Sequence, residues 1–252
     1  MSLLLDEAGV VGSAQTGITP FDLDNQKLFL DFRDADSYTE SGGKVTDLND
    51  LYNLSDFAQS NTASQATISD GKLVFTGNKF YSGNPFYFDF LHNGSDWTIF
   101  LSIESKQDNS SGTLLTNNGF SSPVGFGLLL DDRSSNSRDQ QIRPRIVGTS
   151  GTIVNTGVNN TLTLNTLVNA CITYDFTNSV AGGKAGDIFK DGVDFSDYNN
   201  INKNTSTATN SNSMRLGQDA GGGGLIAEIR GMVITQDVWT PEEVTGITSY
   251  FS

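Results

Sequence analysis

Seven short apolar or alternating runs, separated by clusters of Gly, Asn, Ser and Asp, constrain this chain more than any other feature. The runs are LFLDF (28–32), KLVFTG (72–77), PFYFDFL (85–91), WTIFLSIES (97–105), VGFGLLLD (124–131), VNACITYDF (168–176) and LIAEIRGMVIT (225–235). Each either alternates or stays apolar over a strand's length, as expected where one or both faces of a sheet are covered. Turn-forming clusters at 41–43, 108–112, 117–122, 132–137, 181–186 and 219–224 fall between them, too many and too evenly scattered for a helical bundle. With 27 Gly and 23 Asn in 252 residues the chain favours turns over helices, and 16 Phe supply the apolar surface of a real core. The expected class is all-β: a sandwich of two antiparallel sheets.

One helix stands out at the carboxy terminus, TPEEVTGITSYF (240–251). Thr240 and Glu243 form a Thr-x-x-Glu capping box, Pro241 suits the first helical position, and two glutamates face the positive end of the helix dipole. Trp239 is placed to staple onto Val244, and Val244, Ile247 and Phe251 make one apolar stripe. Trp239 is therefore read as structural rather than as a sugar platform.

A formal charge of −14 opposes nucleic-acid binding, which draws on Lys and Arg displacing counterions. The basic cluster Arg133, Arg138, Arg143 and Arg145 reads as a solvated edge strand. No apolar run approaches the roughly 20 residues that span a bilayer, so no membrane insertion is expected. The single cysteine, Cys171, sits in an alternating run and predicts a buried, inert thiol; the one histidine, His92, has no motif around it. Residues 1–24 have no clear period and no basic residue ahead of Lys27, so they read as an amino-terminal arm without an export signal, preceding a domain over 25–252. The polar stretch 199–213 predicts a long rim loop.

Candidate sites follow from residue type. Clustered oxygen ligands at Asp31, Asp34 and Asp36 make calcium the cation to consider; no other cofactor is expected. Glycan recognition needs aromatic platforms beside amides and carboxylates, and Tyr81, Asn84, Tyr87, Asp131 and Asn136 supply those groups. Asp187, Asp191 and Asp194 flank an Asp-Gly hairpin and read as turn formers. A glycosidase needs two opposed carboxylates, for which Glu-x-Asp-x-x-Glu along a strand is the linear pattern. The chain has no such run, and no catalytic residue is assigned.

The order of these pieces resembles the concanavalin A-like lectin/glucanase domains of laminin-G-like type. An early strand ends in Asp31, Asp34 and Asp36; Ser41 to Val45 form a Ser-Gly-Gly-Lys-Val turn; Asn49-Asp50 and Phe75-Thr76-Gly77 follow. WTIFLSIES, TLLT, GFGLLLDD, VNACITYDF, DIFKDGV, MRLGQ and the final strand and helix come in that family's order over about 21–252. Leu48 stands where a tryptophan is common and Ala227 where a glycine is. The resemblance implies a jelly roll with the terminal helix capping a rim. It further implies a non-enzymatic virion component of bacteriophage type (head fibre, capsid decoration or tail) that binds host glycans, is fixed to other virion proteins by its arm, and forms a homo-oligomer such as a trimer. The other readings are a secreted or cell-surface carbohydrate-binding module and, last, a glycan hydrolase.

Overall fold

Two antiparallel sheets stack face to face in the computed structural model, which describes residues 17–117, 124–148, 151–181, 183–198, 212–218 and 224–252. In chain order the first strands are β1 (Gln26–Asp31), β2 (Tyr38–Ser41), β3 (Lys44–Leu48), β4 (Phe57–Ala58), β5 (Thr67–Ser69), β6 (Lys72–Gly77), β7 (Tyr81–Gly83) and β8 (Trp97–Ser105). The later ones are β9 (Ser111–Thr116), β10 (Gly125–Asp131), β11 (Gln141–Gly148), β12 (Gly151–Asn155), β13 (Leu167–Tyr174), β14 (Gly186–Lys190), β15 (Val193–Tyr198), β16 (Met214–Leu216) and β17 (Leu225–Thr235). An eight-stranded sheet runs β15-β14-β13-β8-β17-β6-β5. β17 is long enough for β6 to pair with its first half and β1 with its second. The nine-stranded sheet runs β12-β11-β10-β9-β16-β7-β4-β3-β2. Most of the arm, and 199–211 of the polar stretch, lie outside the described residues.

Alternation decides what each face buries. Leu30, Leu101, Ile172 and Met232 of one sheet meet Leu115, Phe126, Leu128 and Ile146 of the other in one continuous core. Trp97 stacks on Tyr174 with centroids 5.3 Å apart and meets the Phe126 ring edge-on at 5.5 Å. The alternate residues of the eight-stranded sheet, Phe29, Phe100, Cys171, Phe189 and Val233, form a second apolar layer on its outer side.

Helix α2 (Pro241–Phe251), the second after the short α1 (Phe176–Ala181), lies on that layer. Its capping box is formed: Glu243 N–H donates to Thr240 Oγ1 (3.3 Å) and Thr240 N–H to Glu243 Oε2 (2.7 Å). Trp239, Val244, Ile247 and Phe251 all point into the layer. The helix thus covers an outer sheet face and does not cap a rim. The reason is that Phe29, Phe100 and Val233 face away from the sandwich core and need their own cover. Gly231 makes room for it: a Cβ there would stand 2.1 Å from Phe251 Cε1 and 2.9 Å from the Leu30 carbonyl oxygen. Gly231→Ala is expected to destabilise the fold by about 1–3 kcal/mol through overpacking, read as a lowered denaturant midpoint at unchanged m-value.

PFYFDFL, expected as a strand, is a 3-10 helix over Pro85–Leu91. Asn84 Oδ1 accepts from Phe86 N–H (3.1 Å) and proline occupies the first turn, so local capping outcompetes extension. Phe88 and Leu91, three residues apart as a 3-10 repeat requires, are buried, as is Phe90.

Helix α2 lies on the eight-stranded sheet and not on the outward face of the nine-stranded one. Register places Arg145, Gly127, Thr116, Arg215, Ser82, Ala58 and Asp47 in one row across that face, small and polar where the inward row is apolar.

Candidate functional site: a polar rim cleft

The site is built around a buried carboxylate. Asp131 ends β10, and its side chain is fully buried. Arg133 donates Nε–H to Oδ1 and Nη2–H to Oδ2 (2.8 Å each), Arg138 Nη1 donates to Oδ2 (2.8 Å), and Arg143 Nη1 to Oδ2 (2.6 Å). Strand geometry produces this meeting. Arg143 is the cross-strand partner of Leu129, so it shares a face with Asp131 two residues on. Burial pushes the Asp131 carboxyl up, but the hydrogen bonds from Arg133 and Arg143 and the guanidinium charges outweigh it and hold it at about 2. Asp131 is therefore a structural counter-ion and offers no free oxygen to a sugar. Arg133, Arg138 and Arg143 are no solvated edge either, because they are drawn in by that carboxylate and Arg143 keeps only 7% of its side chain exposed.

Above this hub three loops line an open cleft of ≈ 510 Å³. The β8–β9 loop contributes Asp108 and Asn109, the β10–β11 loop Asp132, Ser134, Ser137, Arg138 and Asp139, and the segment after β12 contributes Asn159. The walls are tied together. Asp132 accepts from Asn109 N–H (2.9 Å) and Gln140 N–H (3.1 Å), and Ser134 Oγ donates to Asn109 Oδ1 (2.9 Å). Asn159 Oδ1 accepts from Asp139 N–H (3.0 Å) and Gln141 Nε2 (2.5 Å). Asn109, Ser137, Gln140 and Asn160 all adopt left-handed backbone, φ 43° to 63°, a conformation kept where surrounding bonds over-determine it. The loops are thus set before any ligand arrives. Among the described residues the side chains of Asp108 and Asp139 make no hydrogen bond or ion pair, and both residues are exposed. They, with the Ser137 hydroxyl, are the groups free to meet a hydroxyl-rich ligand, whereas the Asn159 amide is committed to the wall, its Nδ2 donating to the Ser137 carbonyl (3.4 Å).

The five glycan candidates are not brought together. Asn136 is exposed in the 3-10 turn Ser134–Asn136, next to the cleft but not among its lining residues, and Asp131 is buried in the ion cluster. Tyr81 is a core residue, its hydroxyl donating to Val45 O (3.0 Å) and accepting from Ala66 N–H (2.9 Å). Burial pushes its phenol up to about 12. Asn84 caps the 3-10 helix, and Tyr87 is 50% exposed beside Phe86 at 69%. Asn84 and Tyr87 precede Trp97, the start of β8, whereas the cleft follows Ser105, its end. Nine residues of strand, roughly 30 Å, separate the two rims.

Asp31, Asp34 and Asp36 do not converge as a calcium cage. Both oxygens of Asp31 accept from Arg33 (2.9 and 2.8 Å), Oδ2 also from Tyr250 (3.1 Å), and Asp34 accepts from Asp36 N–H (3.0 Å) as a turn cap. The carboxylates that do gather are Asp187, Asp194 and Asp197, with ligand oxygens within 4.8 Å of one another. Cross-strand register brings them together, Asp187 opposite Asp197, while Asp191-Gly192 alone makes the turn, with φ 52° and 81°. Register also pairs Glu104 with Glu228 on the outer side of the eight-stranded sheet, a carboxylate pair invisible to a linear motif. Lys72 bonds both and Lys106 bonds Glu104; hydrogen bonds from Lys106 and then Lys72 hold Glu104 below the usual carboxylate range. A glycosidase acid requires the opposite shift. Cys171 is buried in the helix-facing layer, and burial pushes its thiol well up. His92 is buried with Nε2 3.5 Å from Asp89, and burial lowers its pKa.

No protein-family model matches the chain, and no curated protein matches it significantly. Solved structures do. Trypanosoma rangeli sialidase is similar at TM-score 0.58 and 14% identity, over 89% of this chain and 32% of that one. The same enzyme in complex with sialic acid gives 0.57 and 16%, over 89% and 32%. The receptor-binding domain of botulinum neurotoxin D gives 0.61 and 10%, over 90% and 53%. The chain thus spans about a third of the sialidase and about half of the toxin chain. At these identities the likeness is one of fold, a β-sandwich of lectin-like kind.

Proposed function

We propose that this chain is a non-enzymatic, glycan-recognising β-sandwich whose binding site is the rim cleft, serving as an attachment component of a virus particle. The observation that carries the reading is the cleft itself, with free hydroxyl and carboxylate groups on loops tied to one another by hydrogen bonds from Asp132, Ser134 and Asn159. A preorganised backbone of this kind lowers the ordering cost of binding a hydroxyl-rich ligand. The sialidase and toxin domains support the glycan half of the proposal by shared architecture. The placement on a particle is supported by the resemblance in sequence order to phage laminin-G-like proteins.

Two carboxylates at the cleft are committed to structure. Asp131 is held ionised, and both oxygens of Asp132 are occupied by backbone N–H groups. A glycan array identifies a ligand, and Asp108→Ala/Asp139→Ala tests where it binds, since neither side chain supports the fold. The double variant is expected to bind at least tenfold more weakly while Tyr87→Ala binds as wild type. Loss of binding in Tyr87→Ala alone would move the site to the opposite rim, and shortened glycan in the mixture would overturn the non-enzymatic assignment.

A further inference from the structure

Strand β15 ends the eight-stranded sheet and, among the described residues, pairs only with β14. Such an edge presents a row of unpaired N–H and C=O groups, which proteins usually blunt with charge, proline or cover. Here Val193 is 69% exposed and Phe195 41%. The bulge between Ile188 and Phe189 gathers Asp194 with the facing Asp187 and Asp197. The cation at this cluster is Lys184, whose Nζ is 2.6 Å from Asp187 and 3.7 Å from Asp197. Lys190, over the Phe195 ring at 5.8 Å, is drawn away to the Asn160 carbonyl and Thr163. Three carboxylates against one ammonium leave the hairpin negatively charged, and like charges directly opposite each other destabilise a strand pair.

We propose that the free edge of β15 is a docking site for an extended, cationic strand of a partner protein, with Lys or Arg alternating with aliphatic residues. Backbone pairing would complete the ladder. The two-residue period would lay the aliphatic side chains over Val193 and Phe195 and turn the basic ones toward the aspartates. A second copy of this chain is the wrong occupant, because pairing β15 with itself brings two acidic clusters together. The surface is separate from the rim cleft and does not depend on it.

A synthetic heptapeptide of alternating lysine and valine, titrated into the full chain at low salt with hydrogen exchange read at β15, tests this. Binding is expected, with slowed exchange of β15 amides. Asp194→Asn/Asp197→Asn should weaken binding at least tenfold, while Asp34→Asn/Asp36→Asn, an equal change in net charge, leaves it unaltered. The first double variant should melt no lower than wild type, since it removes repulsion. No binding, no β15 protection, equal weakening by the two double variants, or self-association of the chain through β15 would each overturn the proposal.

Discussion

Asp131→Asn destabilises the fold by about 3–5 kcal/mol, the range for removing one partner of a buried ion pair. The loss comes less from the bonds than from what they leave behind. Arg133 and Arg138 keep 36% and 27% of their side chains exposed and can turn to water, whereas Arg143, at 7%, cannot. Arg143 would retain its bond to Asn155 but lose its counter-ion in a low-dielectric setting. Asp131→Asn/Arg143→Met is accordingly expected to recover most of the stability, because it removes the stranded charge. If the double variant is as unstable as the single one, stranded charge is not the cause. The wild-type protein carries a matching acid signature. A carboxyl held at about 2 in the fold, against 3.8 free, stabilises the native state fully above pH ~4. That contribution is lost as pH falls through about 2. It amounts to roughly 2 kcal/mol, since each tenfold change in proton affinity is worth about 1.4 kcal/mol. Urea midpoints followed from pH 5 to pH 2 should show this acid loss in wild type and a shallower one in Asp131→Asn.

Phe251→Ala is expected to cost about 3–5 kcal/mol, as for an aromatic cut from a packed core. Its ring stacks on Phe100 at 5.3 Å and meets Phe29 and Tyr250 edge-on, with the Arg33 guanidinium 5.0 Å away. Its backbone carbonyl also accepts from Arg230 (2.7 Å). Removing the ring uncovers the outer apolar layer of the eight-stranded sheet. Thr240→Ala loosens only the capped end of the same helix and should cost about 1 kcal/mol. Chemical denaturation of the two variants side by side distinguishes a helix that shields a sheet face from one that lies on a rim. Equal, small losses would favour the rim.

These contrasts track what a linear sequence can specify. Helix α2 was legible as an element, though not in where it packs, because Thr240, Pro241, Glu243 and the stripe to Phe251 act within three turns of chain. Most strands were legible for the same reason: their faces are set by neighbours two residues apart. PFYFDFL misled because it has no alternation to read and its fate was decided by Asn84 at its start. The cleft was legible only in part. Residues 131–136 announced a polar loop, but the meeting of Asp131 with Arg143, twelve residues on, depends on which residues β10 and β11 set opposite each other. Register likewise brought Asp187 to Asp197 and Glu104 to Glu228. Tyr81 shows the converse limit: residue type suggested a sugar platform, while its position on β7, facing Phe75 across the core at 6.2 Å, made it a buried hydrogen-bonding residue.

The most direct test is nuclear magnetic resonance of the full chain during titration with the tightest glycan from an array. Amide shifts confined to Asp108, Asn109, Ser137, Asp139 and Asn159, with the glycan recovered intact, are the predicted result. Shifts centred on Phe86 and Tyr87, or recovery of a cleaved glycan, would contradict it.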